Sequence, residues 1–225
     1  MKKYINIVFV FVIIISCKKL SKQSDSQNTK PIITENKKFM EFKEFGNVEI
    51  TKEIFPVSWL INTYDNENIV ISKKDKEYQK KFEQIDYFKN LKEGIKTNDG
   101  KLLLFIKKDS LLNLSKIDSL NIIDSTIINE QNKIYYLKII ANRDDGKTEY
   151  PIDIYRLDMV LYNKGIPQKN INLYTEIDFP YLTKQNICYL DKYGQVTCSE
   201  FIIEEAKVTF KGRKNQDAKK IFNIN

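Results

Sequence analysis

Through one stretch of this chain apolar side chains recur every three or four residues, at Tyr78, Phe82, Ile85, Phe88 and Leu91. That spacing predicts an amphipathic helix from about Asp75 to Glu93. Glu77 and Lys81 support it as an i,i+4 pair, and Gly94 followed by Ile95 fits a left-handed stop. A second helix is expected from about Asp109 to Ser119, with Leu111, Leu114 and Ile117 on one side, and a short one after Gly212. Elsewhere β-branched and aromatic residues dominate, bounded by Asp, Asn and Gly turns, and strands are expected. Val57 to Thr63 and Asn68 to Ser72 flank Asp65-Asn66-Glu67, and Lys101 to Lys107 follows Asn98-Asp99-Gly100. Ile134 to Ala141 and Thr148 to Arg156 flank Asp144-Asp145-Gly146, a hairpin signal. Pro151 to Asn163 reads as a strand continuing that hairpin, with a helix ending at Lys164-Gly165 as the alternative.

The most determinate element is a hairpin from Asn186 to Ile203, because Cys188 and Cys198 lie symmetrically about Tyr193. A three-residue loop Lys192-Tyr193-Gly194, with Gly194 left-handed, sets Leu190 opposite Val196 and Cys188 opposite Cys198. The cysteines then occupy a non-hydrogen-bonded site, where Cα atoms approach to about 4.5 Å, within disulfide reach. A structural bond is expected, worth on the order of 2.5 to 3 kcal/mol by loop entropy. A redox-active pair and a reduced pair are the rival readings; redox pairs usually stand two residues apart at a helix start. Together these elements predict an α+β fold, a largely antiparallel β-sheet with one principal amphipathic helix packed on it, the alternative being a mostly β sandwich.

The chain begins MKKYINIVFVFVIIISC. Lys2 and Lys3 precede an apolar run from Ile5 to Ile15, which is too short to span about 30 Å of hydrocarbon but suits a secretory signal core. Its end, Ile14-Ile15-Ser16-Cys17, resembles the lipobox of bacterial lipoproteins, in which a small residue precedes the cysteine that becomes the new amino terminus. The resemblance covers the leader only. It implies cleavage ahead of Cys17, a diacylglyceryl group on its sulfur, and stable attachment to a membrane at about 0.8 kcal/mol per buried methylene. An uncleaved signal anchor and an ordinary signal peptide with an incidental cysteine are the alternatives. Lys18 to Lys38 is polar and aperiodic and reads as a tether. The expected organisation is therefore residues 1–16 as signal peptide, 17–38 as lipidated cysteine and tether, and 39–225 as one globular domain. Lys18, directly after the cysteine, does not match the Asp that retains some lipoproteins in the inner membrane, so a periplasmic and a surface-facing location at the cell envelope both stay open.

Composition narrows the chemistry. An apolar fraction of 42% with 13 Tyr, 13 Phe and only 7 Gly in 225 residues describes a chain that folds. The net charge of +7 invites a nucleic-acid reading, but residues 1–38 hold lysines 2, 3, 18, 19, 22, 30, 37 and 38 against Asp25 and Glu35 alone. The excess thus sits in the leader and tether, the domain is nearly balanced, and no nucleic-acid partner is expected. No histidine occurs, which excludes Ser-His-Asp and Cys-His catalysis and His-ligated zinc. Glycine-rich phosphate loops, Asp-rich calcium loops and internal repeats are not evident, so neither a metal nor a cofactor is expected.

Carboxylates remain as candidate catalysts. Asp144 and Asp145 read as turn residues, however, and Asp153 and Asp158 read as the outer face of a strand, so no catalytic residue is assigned. Trp59 and Tyr135, Tyr136, Tyr150, Tyr155 and Tyr162 either line a ligand groove or, as the more ordinary reading, serve as core and strand surface. The function expected is a non-catalytic binding or interaction domain at the cell envelope, docking a protein partner or a small ligand. The rival readings are an envelope hydrolase using a carboxylate pair and a structural envelope component.

Overall fold

A computed structural model of the chain describes residues 40–46, 60–62, 72–83, 88–144, 146, 150–204 and 207–224. Residues 39–225 form one compact unit. Trp59, residues 68–71 of the strand expected over 68–72, Asp145, and the whole leader with Cys17 lie outside the described residues.

The described residues build one nine-stranded antiparallel sheet from β1 (Leu60–Asn62), β2 (Ile95–Lys96), β3 (Lys116–Ile127), β4 (Asn132–Arg143), β5 (Ile152–Asn163), β6 (Ile166–Asp178), β7 (Leu182–Leu190), β8 (Gln195–Glu204) and β9 (Lys207–Asp217). From β2 to β9 each strand pairs with the next in sequence, and β1 lies outside β9. The turns explain this meander. Asn129 Oδ1 accepts from the amides of Gln131 and Asn132 between β3 and β4. Lys164 and Gly165, both at positive φ (49° and 75°), form the β5–β6 turn, a conformation matched to strand twist. Asp191 Oδ1 accepts from the amides of Tyr193 and Gln195 between β7 and β8.

Each sheet face carries its own core. On the first, Ile134 and Tyr136 of β4 and Leu157, Met159 and Leu161 of β5 pack with Phe42, Phe88, Tyr78 and Phe82. On the second, Leu137, Ile139 and Ala141 of β4 and Ile152, Ile154 and Val160 of β5 pack beneath Leu102, Ile106 and Leu112. Because both faces are covered, β5 is buried at nearly every position and loses the alternation of a half-exposed strand. This is why a helix ending at Lys164-Gly165 competed with a strand in its sequence.

The helices are short: α1 (Lys73–Glu83), α2 (Gly100–Ile106) and α3 (Ala218–Phe222). The fold is therefore mostly β, nearer to the alternative than to a sheet carrying one principal helix. Two local expectations are corrected. Residues 101–107 form a helix, not a strand, because Asp99 is an N-cap whose Oδ1 accepts from the amides of Lys101 and Leu102 (2.9 and 3.4 Å), and Leu102 and Ile106 bury one helical face. Residues 109–115 form turns leading into β3, not a helix: Asp109 Oδ1 accepts from Leu111 N, Leu112 is buried, and Leu114 faces solvent. The helix expected over 75–93 is described over 73–83, and Phe88 to Asn90 form a turn.

Between β6 and β7 pairing runs only from Tyr174↔Ile187 to Asp178↔Thr183. The earlier part of β6 meets α3 instead, where Lys169 Nζ donates to Ile221 O at 2.7 Å.

Candidate functional site

Cys188 and Cys198 are register partners on β7 and β8 and are bonded, with Cα atoms 3.9 Å apart. The loop closes as its sequence requires, Asp191 N donating to Gln195 O at 3.0 Å with Gly194 at φ 91°. A Cβ on Gly194 would meet the Phe42 ring at 2.7 Å, so the glycine both makes the turn and seats Phe42.

The most buried ionic group lies on the second face. Asp158, expected on the outer face of a strand, is 1% exposed, because its face is roofed by α2 and the turn that follows. Arg156, two residues earlier on the same face, grips both Asp158 oxygens from Nη2 (2.8 and 2.9 Å) and reaches Asp109 Oδ2 from Nη1 at 3.0 Å. Burial works against the guanidinium, but Asp158 and Asp109 outweigh it and hold the Arg156 pKa above its ordinary value. A bulge between Leu157 and Asp158 in the β5–β6 register brings Asn172 opposite Asp158, and Asn172 Nδ2 donates to its Oδ1 at 2.9 Å. Asn172 Oδ1 accepts in turn from Thr175 Oγ1 (2.8 Å) and Asn186 Nδ2 (3.2 Å). This closed, satisfied network ties strands β5, β6 and β7 together where the β6–β7 ladder ends.

A second polar group is open to solvent, at the end of the first face near the β4–β5 and β6–β7 turns. Antiparallel register places Asn142, Asp153, Asp178 and Thr183 in one row across β4 to β7, and Ile140, Tyr155, Glu176 and Gln185 in the next. Each carboxylate has a fixed donor. Asn142 Nδ2 donates to Asp153 at 2.9 Å, Thr183 Oγ1 to Asp178 at 2.7 Å, and Tyr174 Oη and Gln185 Nε2 to Glu176. Burial, then Asp153, Asp178 and Glu176, push the Tyr155 phenol above its ordinary value, so it stays a neutral donor. Phe88 roofs the inner edge, stacked on Tyr174 (5.4 Å between centroids) and edge-on to Tyr155 (5.6 Å). Lys138, 5% exposed, lies beside Phe88 with Nζ 3.4 Å from Glu93 Oε1 and 5.2 Å from the ring. The flanking turns present Tyr150 and Tyr181, 62% and 82% exposed. Such a surface offers negative charge, neutral hydroxyl donors and aromatic faces to a cationic or polyhydroxylated ligand.

The expected tyrosines do not line one groove. Tyr136 and Tyr155 belong to the first face, whereas Tyr135 and Tyr162 meet edge-on at 4.8 Å on the second. Asp144 is the turn residue expected, its Oδ1 accepting from Gly146 N at 3.0 Å. Glu176, Asp178, Arg156 and Lys138 were not singled out from sequence. Period-2 spacing groups Glu176 with Asp178 and Arg156 with Asp158, but nothing in the sequence gives the register that brings neighbouring strands' residues beside them.

Among the described residues no helix is long and apolar enough to cross a membrane, and no three Cys, Asp or Glu side chains are grouped to hold a metal ion. No family model, curated protein or solved structure matches the chain.

Proposed function

We propose that this protein is a lipoprotein of the bacterial cell envelope, anchored through acyl chains on Cys17, whose β domain works by binding rather than by catalysis. The anchor rests on the lipobox-like end of the leader, Ile14-Ile15-Ser16-Cys17, behind Lys2 and Lys3. One observation carries the binding reading: Asp153, Glu176 and Asp178 share an open sheet end, and each sits against a fixed hydrogen-bond donor. Donors of this kind fix the direction of a carboxylate, which suits recognition. A glycosidase-type pair needs instead a carboxyl desolvated in a cleft, whereas Asp153 is exposed and Glu176 and Asp178 are half-exposed.

The rival reading, a hydrolase using a carboxylate pair, draws on Asp153 and Asp178 being register partners, with side chains about 5 Å apart at Cβ in such a pair. Two measurements separate the readings. Intact-mass analysis of the membrane-extracted protein is expected to show residues 1–16 removed and the mass of two or three fatty acyl chains added. Incubation with purified envelope glycan is expected to release no soluble product. Product release that disappears in Asp178→Asn would replace binding with hydrolysis, and an unmodified chain beginning at Met1 would remove the anchor.

A further inference from the structure

The segment that roofs the second sheet face has an outer side of its own. Leu102, Ile106 and Leu112 point inward and are 0%, 2% and 0% exposed, while Leu104 and Leu114 are 72% and 68% exposed and Leu103 is 36% exposed. Ile95, on the edge strand leading into this segment, is 76% exposed. The other large aliphatic side chains exposed among the described residues, Ile127 and Ile166, lie in other elements. A seven-residue helix packs through its inward pair, so the exposed side chain of Leu104 adds little to the fold in this position.

The surround is basic. Lys92, Lys96, Lys101 and Lys108 are exposed and Lys107 half-exposed, against Glu93, Asp99 and Asp109 in the stretch that runs on to Leu114. All three acids are engaged, Glu93 with Lys138, Asp99 with the amides that open α2 and Asp109 with Arg156. Exposed leucines interspersed with lysines along one segment form the pattern of an interfacial membrane contact, in which aliphatic tips enter the acyl boundary and ammonium groups meet anionic headgroups. Three leucine side chains fall short of the ~800 Å² per partner that a stable protein interface buries, which disfavours a second copy as the occupant. A weak contact suffices for a domain that is already tethered, because Cys17 lies only about twenty residues before the described chain and raises the local concentration of bilayer.

We infer that the α2 segment docks the domain onto an anionic bilayer through Leu103, Leu104 and Leu114, with Lys101, Lys107 and Lys108 binding lipid phosphate. This inference rests on the anchored reading above, and the test separates the two. The protein carrying Leu104→Cys, purified from membranes with its disulfide intact, is labelled there with an environment-sensitive fluorophore. A second sample is labelled at Tyr193→Cys in the β7–β8 loop. Both are reconstituted in phosphatidylcholine vesicles with or without phosphatidylglycerol and containing brominated acyl chains.

Quenching at position 104 but not 193, strengthened by phosphatidylglycerol, is expected. Replacing Lys101, Lys107 and Lys108 by Gln is expected to lower the docked-to-undocked ratio roughly fivefold per lysine. Vesicle flotation without quenching at 104 would overturn docking and leave the anchor standing. Binding and quenching only in the presence of phosphatidylglycerol would keep docking and overturn the anchor, and no flotation with either lipid would overturn both.

Discussion

Arg156 and Asp158 are buried charges whose energies depend on each other. Removing one partner strands the other away from water, so Asp158→Ala is expected to lose about 3 to 5 kcal/mol in urea unfolding. Replacing both by apolar residues, Arg156→Met with Asp158→Leu, is expected to recover much of that loss; equal damage from single and double variants would contradict the pairing. Burial acts on the phenols as well. It raises the pKa of Tyr162, helped by Asp99, and it raises that of Tyr136 against the opposing hydrogen bonds from Thr126 and the Lys43 backbone. Both groups are neutral in folded and unfolded chains well below pH 10, so their contribution is complete there. Above about pH 10 the unfolded chain releases protons that the folded chain retains, and stability falls as pH rises toward the folded values. Phenolate absorbance is therefore expected to lag in part of the tyrosine population until unfolding releases it. Tyr162→Phe is expected to reduce the slope of stability against pH in that range by about one proton.

At the scale of elements, legibility followed how local the determining physics is. The β7–β8 hairpin was readable to the residue, because turn geometry and cysteine symmetry lie within one short stretch. Replacing Cys188 and Cys198 by Ala together is expected to lower stability by about 2.5 to 3 kcal/mol, seen as a shift of the urea midpoint. Gly194→Ala adds a left-handed penalty of about 1 to 2 kcal/mol and pushes Phe42 from its seat, so it is expected to cost more than an ordinary turn substitution. The α2 region was misread because Lys101 to Ile106, with three consecutive leucines, carries no period, and Asn98-Asp99-Gly100 serves equally as a turn and as an N-cap. Packing against β4 and β5 decided it, and that contact is remote in sequence. The open acidic end was illegible for the same reason. Asp153, Glu176 and their donors come from four strands whose register two bulges shift.

For the whole molecule, the proposed anchor and the proposed α2 contact would act at the bilayer through different forces, and salt distinguishes them. Acyl chains on Cys17, as proposed, would hold by apolar burial, about 0.8 kcal/mol per methylene, which added salt does not weaken. The α2 contact inferred above would depend on lysine charge, and at about 1 M salt the screening length shrinks to roughly 3 Å, so phosphate attraction would be largely lost. On the proposed reading Lys2 and Lys3 would leave with the signal peptide, whereas Lys18, Lys19, Lys22, Lys30, Lys37 and Lys38 stay in the tether beside Cys17, so it is quenching at position 104, and not flotation, that reads the α2 patch. At high salt the protein is therefore expected to float with phosphatidylglycerol-containing vesicles as before, while bromine quenching at position 104 falls toward the level at position 193. Stripping of the protein from the vesicles by salt would mean that charge, not lipid, holds it. Quenching that survives salt would mean that Leu104 and Leu114 insert without help from the lysines around them, and the Gln variants would then dock as well as the natural chain.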